Sequence, residues 1–347
     1  MKSCTLTALA RTAGLAVSTV SYALRDHPKI PPATRDRVRK LADKMGYRAH
    51  PAVAALMAHI KAGRVSLSAT KIAFVWIERN SGRLDSLFDR QCLAGARQRA
   101  NERGYLLEEF RLFDPGMTSR RLSDVLHARG ITGIVFSGCD RLTHVDLDML
   151  WTRHSAALIG NARCHPELHR AGHYHYMAMR RIMLELAARG YRRPVALLET
   201  VVNERASRTH AAAFLAYHPE PARAPDALRK FAKFEPRAIV SWLKKRKPDA
   251  IILTHQTHME PVRRLLGAAG EKIGFAVVSL EEERAAAAGV NPGHAMVAAN
   301  AVDLVIGQLL RNETGLPADP MELLFDGHWI EGGTLRPRQQ PLVEFAL

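Results

Sequence analysis

The run TLTALARTAGLAVSTVSYAL, Thr5–Leu24, decides how this chain is read. Thr5 can cap a helix whose apolar face is Leu6, Leu9, Ala10 and Ala13. Gly14 then permits a sharp turn, because it reaches left-handed backbone angles at little cost. A second short helix comes next over Val17–Leu24 and turns Val20, Ala23 and Leu24 inward. Pro28, Pro31 and Pro32 break the chain, and Pro32 suits the first turn of a third helix. That helix has Val38, Leu41, Ala42 and Met45 as its inner stripe and stops at Gly46. Helix, tight glycine turn, helix is the layout that sets its second helix into a DNA major groove.

Charge supports the same reading. The chain of 347 residues carries a net charge of +16, with 50 Lys and Arg against 34 Asp and Glu. Residues 1–64 hold twelve of those bases and only three acids. More than half of the excess therefore sits in less than a fifth of the chain, as a phosphate-binding module requires. Hydrophobic residues at 47% and charged residues at 24% are an ordinary globular balance, which excludes a disordered chain, a collagen-like repeat and a coiled-coil rod. Cysteines at 4, 92, 139 and 164 form no CxxC pair, so free thiols in a reducing cytoplasm are expected. Arg11 interrupts the only stretch that could pass for a signal segment, and no apolar run is long enough to span a membrane.

Beyond residue 70 the pattern changes to alternating strands and helices. Strands are predicted at Lys71–Ile77, Tyr105–Phe110, Gly133–Ser137, Ala156–Gly160, Val195–Glu199, Ala250–Thr254 and Phe275–Leu280. Helices are predicted at Leu87–Arg103, Arg120–Arg129, Tyr176–Arg189, Arg205–Tyr217, Pro236–Lys245, Glu260–Ala269 and Ala298–Arg311. This alternation implies parallel sheets covered by helices, with ligands outside the carboxyl ends of the strands.

Several motifs together resemble the lactose-repressor (LacI/GalR) family. They are Thr5-Leu6, Leu9-Ala10, Ala13-Gly14-Leu15, Val17-Ser18-Thr19-Val20-Ser21, Pro32-Ala33-Thr34-Arg35 and Gly46-Tyr47-Arg48. In the body, Phe88, Gly95, Gly104-Tyr105, Gly130–Val135, Gly190–Pro194 and Pro248–Ile251 continue the match. The resemblance implies an all-α helix-turn-helix headpiece plus an α/β periplasmic-binding-protein-like core of two doubly wound lobes. It sets residues 1–47 as the DNA-binding domain, 48–64 as hinge helix and linker, and 65–347 as the effector-binding and dimerisation domain. One lobe is expected over 70–162 plus 291–318, the other over 163–290 plus 319–336.

The resemblance also nominates residues. Val17, Ser18 and Tyr22 fall on base-reading positions, Thr19, Ser21 and Arg25 fall near the phosphates, and Thr5 completes the DNA-binding set. Tyr22 stands where relatives commonly carry Arg, so a two-pronged guanine contact is missing there. Leu56, in His50–Met57, matches the leucine that family hinge helices wedge into the minor groove. For the effector, strand ends in the family architecture nominate Trp76, Glu78, Asn161, Arg205, Arg208, His255 and Glu281. Arg208 and His210 lie near the family's effector-gripping arginine, with Arg205, one turn earlier, left open. By this resemblance the chain is expected to form a cytoplasmic homodimer that binds double-stranded operator DNA and acts as a repressor. Its control is expected to come from a small-molecule effector, a sugar or sugar derivative.

Other chemistries find less support. Cys164, His165, His169, His173 and His175 match no standard zinc spacing, so no metal and no cofactor are expected. No GxxxxGK[ST], GxGxxG or GxSxG motif occurs, and no acid/base pair stands out, so an enzyme is not expected. A solute-binding protein without DNA function is the alternative.

Overall fold

The structure, a computed structural model, describes residues 6–24, 30–45, 47, 70–77, 86–138, 144–161, 164–281 and 286–337. Thr5, Arg25, the hinge segment with Leu56, and Glu78 lie outside the described residues. The chain divides into two compact units, Met1–Leu67 with Leu310–Asn312, and Ser68–Leu309 with Glu313–Leu347.

The first unit holds helices α1 (Leu6–Ala13), α2 (Val17–Ala23) and α3 (Pro32–Lys44). Leu9, Ala10, Val20, Ala23, Val38 and Ala42 are its buried centre, with Leu6, Leu15, Ile30, Leu41 and Met45 packed around them. Gly14 sits at φ +65°. Its amide donates to the Arg11 carbonyl (3.2 Å) and the Leu15 amide to the Ala10 carbonyl (3.1 Å). Those two bonds are the closure by which a left-handed residue ends a helix and satisfies its last carbonyls. Arg37 reaches back to the Ala13 carbonyl (3.2 Å), fixing α3 against the end of α1.

In the second unit, β1 (Lys71–Trp76), β2 (Leu106–Arg111), β3 (Gly133–Phe136), β5 (Ser155–Ile159), β7 (His169–His173) and β13 (Glu322–Phe325) form one sheet, all neighbours parallel. The order is β13-β7-β5-β3-β1-β2. Two-residue strands β4 (Val145–Asp146) and β6 (Cys164–His165) pair beside it. In the central strands β1, β3 and β5 side chains alternate between two covered faces, which is why these strands read as apolar runs. Ala73, Val75, Ile134 and Phe136 pack on Leu122 and Leu126. Ile72, Phe74 and Val135 pack on Cys92, Ala96 and Val302. The latter cover comes from α4 (Leu87–Glu102) and the long helix His294–Arg311. Gly95 lets these two elements touch, since a Cβ there would lie 2.0 Å from the Ala295 carbonyl oxygen. Asp303 then ties them by ion pairs to Arg99 and, at 3.2 Å, Arg103.

The second sheet contains β8 (Pro194–Glu199), β9 (Leu228–Phe231), β10 (Ala250–Leu253), β11 (Gly274–Val277), β12 (Ala288–Asn291) and β14 (His328–Ile330). Its order is β14-β12-β11-β10-β8-β9, parallel except for β14 on β12. Its core joins Ile182, Leu186, Leu197, Phe214, Leu243, Ile252 and Phe275. The fold is thus a helical headpiece plus an α/β core of two doubly wound lobes.

Two expectations change. Residues 163–290 and 319–336 are expected in the second lobe, whereas His169–His173 and Glu322–Phe325 extend the first sheet. The lobe boundary therefore moves to residues 174, 292–293 and 326–327. The helix expected over Arg205–Tyr217 spans only Thr209–Ala216, and a separate helix, Thr200–Arg205, precedes it. Ser207 (φ 52°) and Arg208 (φ 62°) separate the two, because two successive left-handed residues cannot continue a right-handed helix.

Candidate nucleic-acid interface and effector cleft

On α2, burial of Val20 and Ala23 leaves the opposite side outward. Val17, at 42% exposure, and Ser18 are exposed there. Thr19, Ser21 and Tyr22 are less buried than Val20 and Ala23 and flank that outward side. The helix therefore offers small and hydroxyl side chains where base edges would lie. Arg37, Arg39, Lys40 and Lys44 are exposed on α3. Long cations of this kind neutralise phosphates and supply affinity without sequence information.

In the core unit, a cleft of about 200 Å³ opens between the two sheets at the carboxyl ends of their strands. Five of the sequence-nominated residues line it: Asn161, Arg205, His210, His255 and Glu281. Strand and helix junctions bring them there. Asn161 follows β5, His255 follows β10, and Arg205 ends the short helix that starts after β8. Glu199, the last residue of β8, is held by its amide donating to the Thr254 hydroxyl oxygen (2.9 Å). Its carboxylate faces His258 at 3.4 Å and His255 at 4.0 Å.

Two nominated residues are not brought in. Trp76 is buried, donates its indole N–H to Glu109 (3.1 Å) and packs edge-on against Phe74. Its ring is committed to the first lobe and is not among the cleft-lining side chains. Arg208 points to solvent in an ion pair with Glu204 at 2.9 Å, because the left-handed break swings it off the cleft-facing side.

The residues that sequence reasoning missed are mostly histidines. His173 and His175 sit where the chain first crosses between lobes, and His294 follows the second crossing. The His173 and His175 rings meet edge-on at 4.9 Å, and His175 meets His210 at 4.8 Å. His173 Nδ1 lies 3.1 Å from the Phe325 carbonyl, joining the first crossing to the third. Burial holds these imidazoles neutral. It pushes His210 and His294 down to about 3 and His173 down to about 4. His175 is also held well below its ordinary value, by burial first and then by neighbouring imidazoles and Arg205. A neutral imidazole offers one donor and one acceptor.

Several of these atoms lack a partner. Asn161 Oδ1, His173 Nε2 and both ring nitrogens of His210 are buried without a hydrogen bond. Buried polar atoms left unpaired are costly, and such atoms facing a cavity suit a polar ligand. Phe88, Val201, Val202 and Val297 supply the apolar part of the wall. Convergent polar groups on an apolar wall are the usual build of a small-molecule site. Among the described residues, no three His, Cys, Asp or Glu side chains are placed to hold a metal ion. Cys92 and Cys164 are buried, and burial raises both thiols, so they are inert packing groups.

Comparison with known proteins gives three results. Residues 5–50 match the family model described as bacterial regulatory proteins, lacI family. No curated protein matches. Many solved structures do. A complex of the transcriptional regulator CelR with cellobiose superposes with a TM-score of 0.52 at 17% identity, covering 95% of this chain and 99% of that one. The lac repressor dimer bound to operator and the anti-inducer ONPF gives 0.53 at 14% identity, covering 96% and 100%. A periplasmic binding protein/LacI transcriptional regulator from Alkaliphilus metalliredigens QYMF, complexed with D-xylulofuranose, gives 0.51 at 17% identity, covering 77% and 99%. Residues 5–50 are thus similar to the headpiece of bacterial regulatory proteins of the lacI family, and the chain shares the two-lobed fold of these solved structures.

Proposed function

We propose that this protein is a DNA-binding transcription regulator, a repressor, whose operator affinity is set by a carbohydrate held in the interlobe cleft. One conjunction carries the reading. A lacI-family headpiece and a two-lobed core with unpartnered buried polar atoms at its lobe interface occur in one chain. Val17, Ser18 and Tyr22 read bases, while Thr19 and Ser21 approach phosphates. Asn161, Arg205, His210, His255 and Glu281 grip the effector, with Glu199 and the crossover histidines. The work is divided among headpiece 1–47, hinge and linker 48–64, and sensing and dimerisation core 65–347.

The mechanism is a shift between two lobe arrangements. A ligand that touches both lobes favours the arrangement in which its contacts are best. Moving such an equilibrium from 1:99 to 99:1 requires roughly 5.5 kcal/mol of differential binding. Several hydrogen bonds to buried, otherwise unpaired groups supply energy on that scale. A homodimer carries two headpieces, so its operator is a near-palindrome with half-sites one or more helical turns apart. The protein works in the cytoplasm and performs no catalysis. Among the described residues, no helix is long and apolar enough to cross a membrane.

The test is fluorescence anisotropy with labelled duplexes tiling the gene's own upstream region, with and without neutral sugars. One duplex should bind far more tightly than the others, and a sugar should change that affinity at least tenfold. Equal binding to every duplex, unaffected by any sugar, overturns the proposal.

A further inference from the structure

Beside the cleft lies a larger pocket of about 630 Å³, half open to solvent, called the chamber below. It runs along the β7 and β13 edge of the first sheet, and Ala206, Ser207 and Thr209 border it from the second lobe. Asn161, His173, His175 and Arg205 line both the chamber and the cleft. They include two of the unpartnered buried atoms, Asn161 Oδ1 and His173 Nε2, and His173 itself is only 6% exposed. The cleft alone falls short of the roughly 300–1,000 Å³ that small-molecule sites occupy, whereas cleft and chamber together lie well inside that range.

Among the described residues, each space carries one six-membered aromatic ring suited to a sugar face. In the cleft it is Phe88, steadied edge-on by His294 at 4.7 Å. In the chamber it is Tyr174, 36% exposed, whose amide is held by the Phe325 carbonyl at 2.8 Å. Charge narrows the ligand further. Among the described residues lining the two spaces, the bases are Arg170 and Arg205, and the acids are Glu167, Glu322, Glu199 and Glu281. The acids outnumber the arginines, and burial keeps His173, His175, His210 and His294 neutral, so an anionic ligand meets net repulsion. The same carboxylates are good acceptors for hydroxyl groups.

We propose that this chamber is a second ring subsite, and that the effector is a neutral two-ring glycan with one ring against Phe88 and the other against Tyr174. The inference rests on the cleft being the effector site. Asn161 and Arg205 stand at the junction, where a glycosidic linkage passes. The backbone break at Ser207 and Arg208 borders the chamber. A strained, paired left-handed turn of this kind is found at ligand clamps and switch segments.

The experiment is titration calorimetry on the full chain with matched sugars. The probes are glucose with cellobiose and maltose, galactose with lactose, xylose with xylobiose, and glucose 6-phosphate. At least one disaccharide should bind 10-fold or more tightly than its monosaccharide, and glucose 6-phosphate should bind worse than glucose. Tyr174→Ala and Glu322→Gln, with unchanged thermal unfolding, should weaken that disaccharide at least 10-fold and leave the monosaccharide within twofold. If a monosaccharide binds as well as its disaccharide, or both variants leave the disaccharide unchanged, the cleft reading stands and the second subsite is refuted. Binding strongest to the phosphosugar also refutes it. If no sugar binds, the carbohydrate reading of the cleft falls, and this inference falls with it.

Discussion

Acidifying the protein from pH 7.5 to pH 5 should destabilise the core through three buried histidines that line the cleft. In the folded protein, burial holds His173 at about 4 and His210 and His294 at about 3. Unfolded, each returns to about 6.5. A depressed histidine means that the unfolded chain binds more protons once the pH drops below 6.5. The stability is therefore complete above pH 6.5 and is lost as the pH falls toward 4 and 3. At pH 5 each histidine costs about 2 kcal/mol, and the three together about 6 kcal/mol. That is a large share of the roughly 5–15 kcal/mol by which a folded domain is stable. All four tryptophans, Trp76, Trp151, Trp242 and Trp329, lie in the core unit, so their fluorescence follows core unfolding without interference from the headpiece. Urea titrations at pH 8, 6.5, 5.5 and 5 give the slope. His210→Leu supplies the control. Both ring nitrogens of His210 lack partners, so an apolar side chain of similar reach leaves no group newly orphaned. The variant should regain about 2 kcal/mol relative to wild type at pH 5 and nothing extra at pH 8. Parallel pH profiles for the two proteins would refute the reasoning.

The headpiece and the close packing of the core give further expectations. Leu9→Ala opens a cavity among the described buried headpiece residues, three of which are alanines, and should cost about 2–5 kcal/mol, abolishing duplex binding while tryptophan fluorescence reports an unchanged core. Gly95→Val forces the two helices apart at the Ala295 carbonyl and should lower the thermal midpoint of the core by a shift worth about 1–3 kcal/mol. Tyr22→Arg should strengthen duplexes carrying guanine at the facing base by about 1–3 kcal/mol, measured by anisotropy on single-base variants. Raising salt from 50 to 200 mM should weaken DNA binding about 100-fold if some four phosphates are contacted, and a flat response would count against the basic α3 face.

How much is legible in the sequence depends on whether the signal is local. Helix α1 can be read to its end residues because Leu6, Leu9, Ala10, Ala13 and Gly14 are neighbours that settle their own conformation. The central strands of both sheets are also visible as apolar runs such as Lys71–Trp76 and Ala250–Leu253. Short strands such as His169–His173 and Ala288–Asn291 escape sequence reasoning, since His-Arg-Ala-Gly-His and Ala-Gly-Val-Asn have no alternation and become strands only through their partners. The site divides in the same way. Asn161, His255 and Glu281 can be found because strand ends converge in this architecture. His173, His175 and His294 cannot, because the crossings that gather them exist only in three dimensions. Along the sequence, the row of histidines that includes His173 and His175 suggests only a zinc site, and its spacing fits none. Arg208 is misplaced by a break that no glycine or proline announces.

The three crossings have a kinematic consequence. Each is one or two residues long: Tyr174, then Pro292-Gly293, then Asp326-Gly327. Proline fixes one of the torsions, and the two glycines already sit at φ +65° and +79°. So few free rotations, running side by side, leave the lobes close to a single axis of turning. A displacement of an ångström at the ligand is then not dissipated in sideways slip but becomes rotation of one whole half against the other, as in a door hung on three pins.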